Sequence, residues 1–257
     1  MRFSKWHALG NSYLVVERAD AGALVPEQVR RLCDVDTGIG SDGVLEVVTR
    51  SGARAEILIW NPDGSVAEMS GNGVRIAARW LSEATGAGRV TIVTAGREID
   101  ATMLGGPDVL ADVGDVVVGE PETIDADGGV ELTTASVGNP HAVIRMDSAT
   151  RDDLRRIGPA VETHSRFPQR TNVQLVRVDG PHELSVLVWE RGAGETSSSG
   201  SSAVAAAAVA VSRGWCASPV TVHLPGGELF VELNGLRATL TGPAEQICRG
   251  DMTALDL

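Results

Sequence analysis

Ser70-Gly71-Asn72-Gly73, followed by Ala77-Ala78, and Ser199-Gly200-Ser201-Ser202, followed by Ala206-Ala207, stand 129 residues apart in a chain of 257. Upstream, Ile57-Leu58-Ile59-Trp60-Asn61 matches Val186-Leu187-Val188-Trp189-Glu190 at the same offset. Earlier still, Gly10-Asn11-Ser12-Tyr13-Leu14-Val15-Val16 matches Gly138-Asn139-Pro140-His141-Ala142-Val143-Ile144 at an offset of 128. Downstream, Val90-Thr91-Ile92 and Gly96-Arg97-Glu98 match Val220-Thr221-Val222 and Gly226-Gly227-Glu228 at 130. Four collinear matches at a nearly constant offset mark one ancestral unit, duplicated and fused. A period this long means two homologous domains and not a solenoid.

Each unit follows one grammar. A short apolar β-branched run opens it (Tyr13 to Val16; His141 to Ile144), and further strand-like segments lead to the Trp (Val44 to Val48 and Ala55 to Trp60; Val173 to Val178 and Leu184 to Trp189). A Gly-rich loop and a helix follow, about Gly71 to Glu83 and about Gly200 to Arg213, and two strands close the unit. The second helix is apolar on every face from Ala203 to Val211, so it is expected to be buried all round. The first carries Arg75 and Arg79 and is expected to be less enclosed. The class is therefore α+β: two pseudo-symmetric units, each a mostly antiparallel sheet wrapped around a central helix. The first unit spans 1–114 and the second 115–245, with the acidic stretch from Asp112 to Asp127 read as linker and solvated loop.

Composition narrows the partners. The chain has 22 Lys and Arg against 34 Asp and Glu, a formal net charge of −12, which opposes approach to nucleic acid or an anionic membrane. Three cysteines far apart (Cys33, Cys216, Cys248) signal neither a disulfide framework nor a zinc site, and five histidines show no metal-binding spacing. The first residues lack the apolar core of a signal peptide, and the apolar run Ala203 to Val211 is half a membrane span, so a cytoplasmic protein is expected. Gly38-Ile39-Gly40-Ser41-Asp42-Gly43 matches a dinucleotide fingerprint formally, yet a helical pattern precedes it and a strand-like run follows, the wrong order. No nucleophile elbow surrounds Ser70 or Ser199.

The two loop–helix junctions carry the chemistry. Each places Ser-Gly-(Asn/Ser) at a helix start, where unpaired N–H groups and the macrodipole favour a carboxylate or phosphate. Taken singly, each serine reads first as an ordinary N-cap, and it is the duplication that shifts weight towards function. Two copies related by duplication suit a substrate approached from opposite faces, as racemisation requires.

These residues carry a resemblance. Lys5 through Asn11, Gly38 through Gly43, Asn61 through Gly73, Gly138-Asn139-Pro140-His141, Thr171-Asn172-Val173 and Glu190 through Thr196 resemble, in order, the signature blocks of the diaminopimelate epimerase family. The resemblance implies a cofactor-independent interconversion of LL- and meso-diaminopimelate, a small-molecule amino-acid substrate, no metal, a homodimer, and a tail, 246–257, that returns to the first unit. It also implies roles residue by residue. Ser70 and Ser199 occupy the two acid/base positions, with His141 and Glu190 assisting proton movement there. Gly71, Asn72, Gly200 and Ser201 present donors to the α-carboxylate, whose charge must be stabilised as the carbanion forms. Asn11, Asn61, Asn139 and Asn172 hydrogen-bond the substrate, and Arg191 clamps its distal carboxylate. Apart from the resemblance, His141 and Glu190 are plausible core polar residues, the asparagines plausible turn residues, and Arg191 a plausible ion-pair partner of Glu195.

The family uses a cysteine at each acid/base position; this chain has serine at both, and Ser202 replaces the last glycine of the second motif. A free thiol titrates near about 8.5, whereas an alcohol lies closer to water at about 15.7. The gap, roughly 7 units, corresponds to about 10 kcal/mol. Removal of an α-proton should therefore be slowed by several orders of magnitude, with binding less affected. Two alternatives follow: a divergent relative that uses Glu68, Glu195 or His141 for another isomerisation or a dehydration, or a non-catalytic amino-acid binder.

Overall fold

A computed structural model describes residues 1–252. It divides into two compact units, Met1–Asp112 with a return segment that starts at Gly242, and Val113–Thr241.

The first unit contains β1 (Arg2–Ala8), β2 (Asn11–Glu17), a short α1 (Arg18–Ala21), α2 (Pro26–Cys33), β3 (Val44–Ser51), β4 (Arg54–Trp60), β5 (Val66–Ala67), α3 (Gly71–Thr85), β6 (Arg89–Thr94), β7 (Arg97–Met103) and β8 (Asp108–Asp115). The second contains β9 (Val117–Ile124), β10 (Val130–Ser136), β11 (Pro140–Arg145), α4 (Arg151–Glu162), β12 (Asn172–Gly180), β13 (Glu183–Glu190), β14 (Gly194–Thr196), α5 (Gly200–Ser212), β15 (Val220–Leu224), β16 (Gly227–Asn234) and β17 (Arg237–Pro243). A last strand, β18 (Glu245–Asp251), pairs antiparallel with β1.

The register repeats with the sequence. β2 runs parallel to β3 with Leu14 opposite Val44, and β11 runs parallel to β12 with Ala142 opposite Val173. Val44 faces Trp60 across an antiparallel pair, as Val173 faces Trp189. Each Trp strand then has a parallel neighbour beyond the Gly-rich loop, β6 for β4 and β15 for β13. The return strand has a counterpart too: β18 lies against β1 as β9 lies against β10. The C-terminal segment thus gives the first unit the edge partner that the second obtains from its own N-terminal strand.

Alternating burial explains the strands. In β8, Val109, Ala111 and Val113 point inward between more exposed neighbours, the period-two pattern of a half-buried strand. Consequently Asp112 to Asp127 is not mainly linker, as its acidity suggested: most of it is the end of β8 and all of β9. β9 is largely exposed on both faces, and backbone pairing to β10 holds it where side-chain burial does not.

Each unit packs around its long helix. α5 is buried from Gly200 to Ala210, as an all-apolar helix must be. In α3, Ile76, Ala77, Ala78 and Leu81 join a core with Trp6, Leu45, Ile57, Ile59 and Ile92. The expectation that α3 is the less enclosed holds only for its second half. Arg75 is fully buried, and its guanidinium folds back along the helix to donate to Gly71 O (3.1 Å) and Asn72 Oδ1 (2.9 Å). Its charge is hidden by intrahelical acceptors, a partnership that burial periodicity does not reveal.

The matched tryptophans are pinned alike. Trp60 Nε1 donates to the buried Glu46 (2.9 Å), which also receives Arg18 Nε (2.7 Å) and Leu24 N–H (3.1 Å). Trp189 Nε1 donates to Glu162 (2.7 Å), which also receives Gly192 N–H (2.9 Å). Among the described residues, no helix is long and apolar enough to cross a membrane.

Candidate functional site

The first cluster of candidates is built where α3 begins. Ser70 sits at the N-cap in extended conformation, and its Oγ accepts the N–H of Gly73 at 3.0 Å. Glycine at that third helical position makes room: a Cβ on Gly73 would stand 3.3 Å from both Cβ and Oγ of Ser70. Ser70 is thus an N-cap in fact, and it does more. Its Oγ shares a hydrogen bond of 3.1 Å with the hydroxyl of Tyr13 on β2. Beside it, Asn72 donates its Nδ2 to Asn11 Oδ1 (3.1 Å) while its own Oδ1 is held by Arg75. The buried arginine therefore fixes which way the Asn72 amide faces. Among the described residues its Nε has no partner, and burial lowers its pKa to about 10 despite the opposing field of Asp108.

The second cluster repeats this plan with changed chemistry. Ser199 caps α5 with the same backbone conformation but makes no side-chain cap bond. The residue equivalent to Gly73 is Ser202, which carries a side chain where Gly73 has none. Ser202 Oγ instead accepts from Gln174 Nε2 at 3.0 Å. Asn139 Nδ2 reaches Ser201 Oγ at 3.5 Å, the counterpart of the Asn11–Asn72 contact. His141, which repeats Tyr13, does not bond the helix-start serine: its Nε2 meets Asn139 Oδ1 (2.9 Å) and its Nδ1 meets Gln174 Nε2 (3.1 Å). Burial, reinforced by the charge of Arg191, lowers its pKa to about 3 against a smaller opposing effect of the Gln174 hydrogen bond. The ring is neutral at physiological pH, with both nitrogens engaged.

The remaining candidates lie at strand ends and turns. Asn61, at the turn that follows β4, donates to Ser65 Oγ (2.9 Å), which is local turn chemistry. At the matching end of β13, Glu190 accepts from Thr196 Oγ1 (2.8 Å). Asn172 donates to Pro140 O (2.9 Å) and accepts the backbone N–H of Arg191 (3.0 Å), so it sets the course of the chain at Arg191. The Arg191 guanidinium reaches Gln169 O at 3.5 Å. Glu195 is instead paired with Arg155 (2.9 Å) and Arg151 (3.3 Å). The structure therefore groups Ser70, Gly71, Asn72 and Asn11 in one cluster, and Ser199, Gly200, Ser201, Asn139 and His141 in another. Tyr13 was not among the sequence candidates, although its alignment with His141 was the signal that could have raised it. Among the described residues, no group of three or more His, Cys, Asp or Glu gathers to hold a metal.

The chain is similar to known proteins along most of its length. The chain matches the family model described as diaminopimelate epimerase over residues 3–118 and 133–247. It is 36% identical to a diaminopimelate epimerase of Pseudomonas entomophila, over 98% of this chain and 99% of that protein. It is 37% identical to diaminopimelate epimerase 2 of a Nostoc species, over 98% and 96%. Its fold is similar to that of a hydroxyproline epimerase from Agrobacterium vitis, solved with bound trans-4-hydroxy-L-proline, at a TM-score of 0.76 and 15% identity over 97% of this chain and 91% of that one.

Proposed function

Because the chain belongs to the diaminopimelate epimerase family, we propose that it binds diaminopimelate or a close α-amino acid and moves the α-proton through the hydroxyls of Ser70 and Ser199, far more slowly than a thiol pair would. One hydroxyl takes the α-proton and the other supplies one, so the configuration inverts without a cofactor. Backbone donors at Gly71, Asn72, Gly200 and Ser201 receive the α-carboxylate, where charge develops as the carbanion forms. Arg191 receives the distal carboxylate, and Asn11, Asn61, Asn139 and Asn172 position the remaining polar groups, some of them by shaping the backbone. Glu190 assists the Ser199 side. His141 holds Asn139 in place and is not a general acid near neutral pH.

The observation that carries this reading is the repeated amide contact beside each helix-start serine, Asn11 to Asn72 and Asn139 to Ser201. In each unit a side-chain amide thus meets the second residue after the helix-start serine, which supports a shared role for the two positions. Two of the acids that a divergent chemistry would use are committed elsewhere: Glu195 to two arginines and His141 to its amide partners. A non-catalytic binder has one feature in its favour, the ordinary capping bond of Ser70.

Calorimetric titration with LL- and meso-diaminopimelate, together with deuterium exchange at the α-carbon, tests the proposal. Binding with slow exchange is expected, and Ser70→Cys/Ser199→Cys should raise exchange by about 10³-fold or more if roughly half of the thiol–alcohol gap reaches the transition state. Binding without exchange, even after both replacements, would establish the binder. No binding by either protein would reject the reading.

A further inference from the structure

We infer that Tyr13 is the proton store of the first half-site, exchanging its phenolic proton with the substrate through the Ser70 hydroxyl. This rests on the reading that Ser70 occupies an acid/base position. The phenol oxygen lies 3.1 Å from Ser70 Oγ, and the residue is only 6% exposed. Its ring is held where it is by an absence of side chain opposite. A Cβ on Gly43 would stand 2.6 Å from Tyr13 Cε1 and 3.0 Å from Cδ1, so only glycine admits the ring at that depth. Gly43 immediately precedes β3, which pairs with the Tyr13 strand in parallel register, so the gap and the ring are placed by the same ladder.

Ser70 Oγ has the capacity to pass a proton along. It accepts the Gly73 N–H with one lone pair and retains a second lone pair and its own proton. Either Tyr13 donates to Oγ and the serine proton points away, or the serine donates to the phenol oxygen. Rotation about two C–O bonds interconverts these arrangements. An alcohol near about 15.7 is a poor acid and a poor base, while a phenol near about 10 stands roughly 6 units closer to neutrality.

Protonation of the carbanion breaks the Ser70 O–H bond and forms Cα–H, while Oγ takes the phenolic proton and leaves a phenolate. In the reverse direction Cα–H breaks, its electron pair stays on carbon, and its proton bonds to Oγ. The former Oγ proton passes to the phenolate. Charge balances with no co-reactant. Tyr13 does not touch the substrate in this scheme; it is a positioning residue that acts through Ser70. The equivalent position in the second unit holds His141, which is neutral and bonded to Asn139 and Gln174, so the two half-sites are unequal in proton supply.

Tyr13 is the only tyrosine in the chain, so ring-labelled protein gives a single tyrosine Cζ resonance. Three measurements test the inference: α-proton exchange of diaminopimelate in deuterium oxide across pH, calorimetric binding, and titration of that resonance. Tyr13→Phe keeps the ring against Gly43 and removes only the hydroxyl. It should retain diaminopimelate binding within about threefold and lose on the order of 10²-fold or more in exchange, the usual worth of a placed acid or base. The pH profile of exchange should follow the titration of the resonance in the unaltered protein. In a Ser70→Cys background the penalty of Tyr13→Phe should fall at least tenfold, because a thiol needs no phenol, whereas a merely structural role would cost the same in both.

An unchanged exchange rate and pH profile in Tyr13→Phe would overturn the inference and leave the proposed function standing. Binding with no measurable exchange in the unaltered protein would overturn the inference together with proton movement through the serine hydroxyls, leaving only the binding half of the proposed function. If the protein does not bind diaminopimelate at all, the proposed function fails, and the resonance decides the dyad alone: Ser70→Ala should shift the Tyr13 titration, and an unmoved titration refutes the coupling.

Discussion

Replacing each helix-start serine by cysteine, one at a time, should expose an electrostatic inequality between the two helix starts. At position 70 the side-chain oxygen meets Gly73 N–H at 3.0 Å and the Tyr13 hydroxyl at 3.1 Å. At position 199 no side-chain cap bond forms. A hydrogen bond to a charged group contributes about 1.5–3 kcal/mol, and one pKa unit corresponds to about 1.4 kcal/mol. Two donors would thus lower a thiolate by about 2–4 units; since sulfur is a weak acceptor, about half of that is expected. The Ser70→Cys thiol should therefore titrate about 1–2 units below the Ser199→Cys thiol, with the helix N-terminus common to both. Ultraviolet thiolate absorbance reads the difference in a Cys248→Ala background, because Cys248 is the exposed native thiol. Cys33 and Cys216 do not interfere, since burial pushes their thiols up. Adding Ser202→Gly to Ser199→Cys should let that side chain fold onto the third helical N–H and bring its titration down towards the other. Equal values, or the reverse order, would refute the argument that the donors around Ser70 and the side chain of Ser202 distinguish the two positions.

Two further outcomes are expected. Glu46→Ala should destabilise the protein by about 3–5 kcal/mol in denaturant melts, because it strands the Arg18 charge and leaves Trp60 Nε1 and Leu24 N–H unpaired in a buried place. His141 should make stability depend on pH. Its native pKa is lowered to about 3 from an unfolded value of about 6.5, so the unfolded chain binds the extra proton in that window. The stabilisation is complete above about pH 6.5 and falls as pH drops towards 3, by at most about 1.4 kcal/mol per unit. His141→Asn should flatten that slope in melts between pH 6.5 and 4; an unchanged slope would show that other groups set it.

Much of the fold was legible because it rests on short-range rules. The repeat, the alternating strands and the all-apolar α5 follow from side-chain periodicity and propensity, which any local window displays. The rejection of the glycine-rich Gly38–Gly43 segment as a nucleotide loop also rests on element order, and the segment does join α2 to β3. The acidic stretch after Asp112 was misread because β9 buries little and owes its conformation to a partner strand. Arg75 was misread because the acceptors that make its burial tolerable lie on its own helix, at Gly71 and Asn72, and depend on how the chain enters α3.

The site divides along the same line. The two serines and their helix starts could be named from the repeat spacing, and the asparagines from the family resemblance that the motifs carry. What only the packed structure decided is who bonds to whom. Tyr13 and Ser70 are 57 positions apart, and their contact exists because a side-chain-free Gly43 lets an aromatic ring pass between strands. His141, in the matching place, turns instead to Gln174 and loses its charge to burial. Periodicity records which face of an element is buried; hydrogen bonds a few ångströms long are set by the convergence of distant segments, and proton affinity follows them.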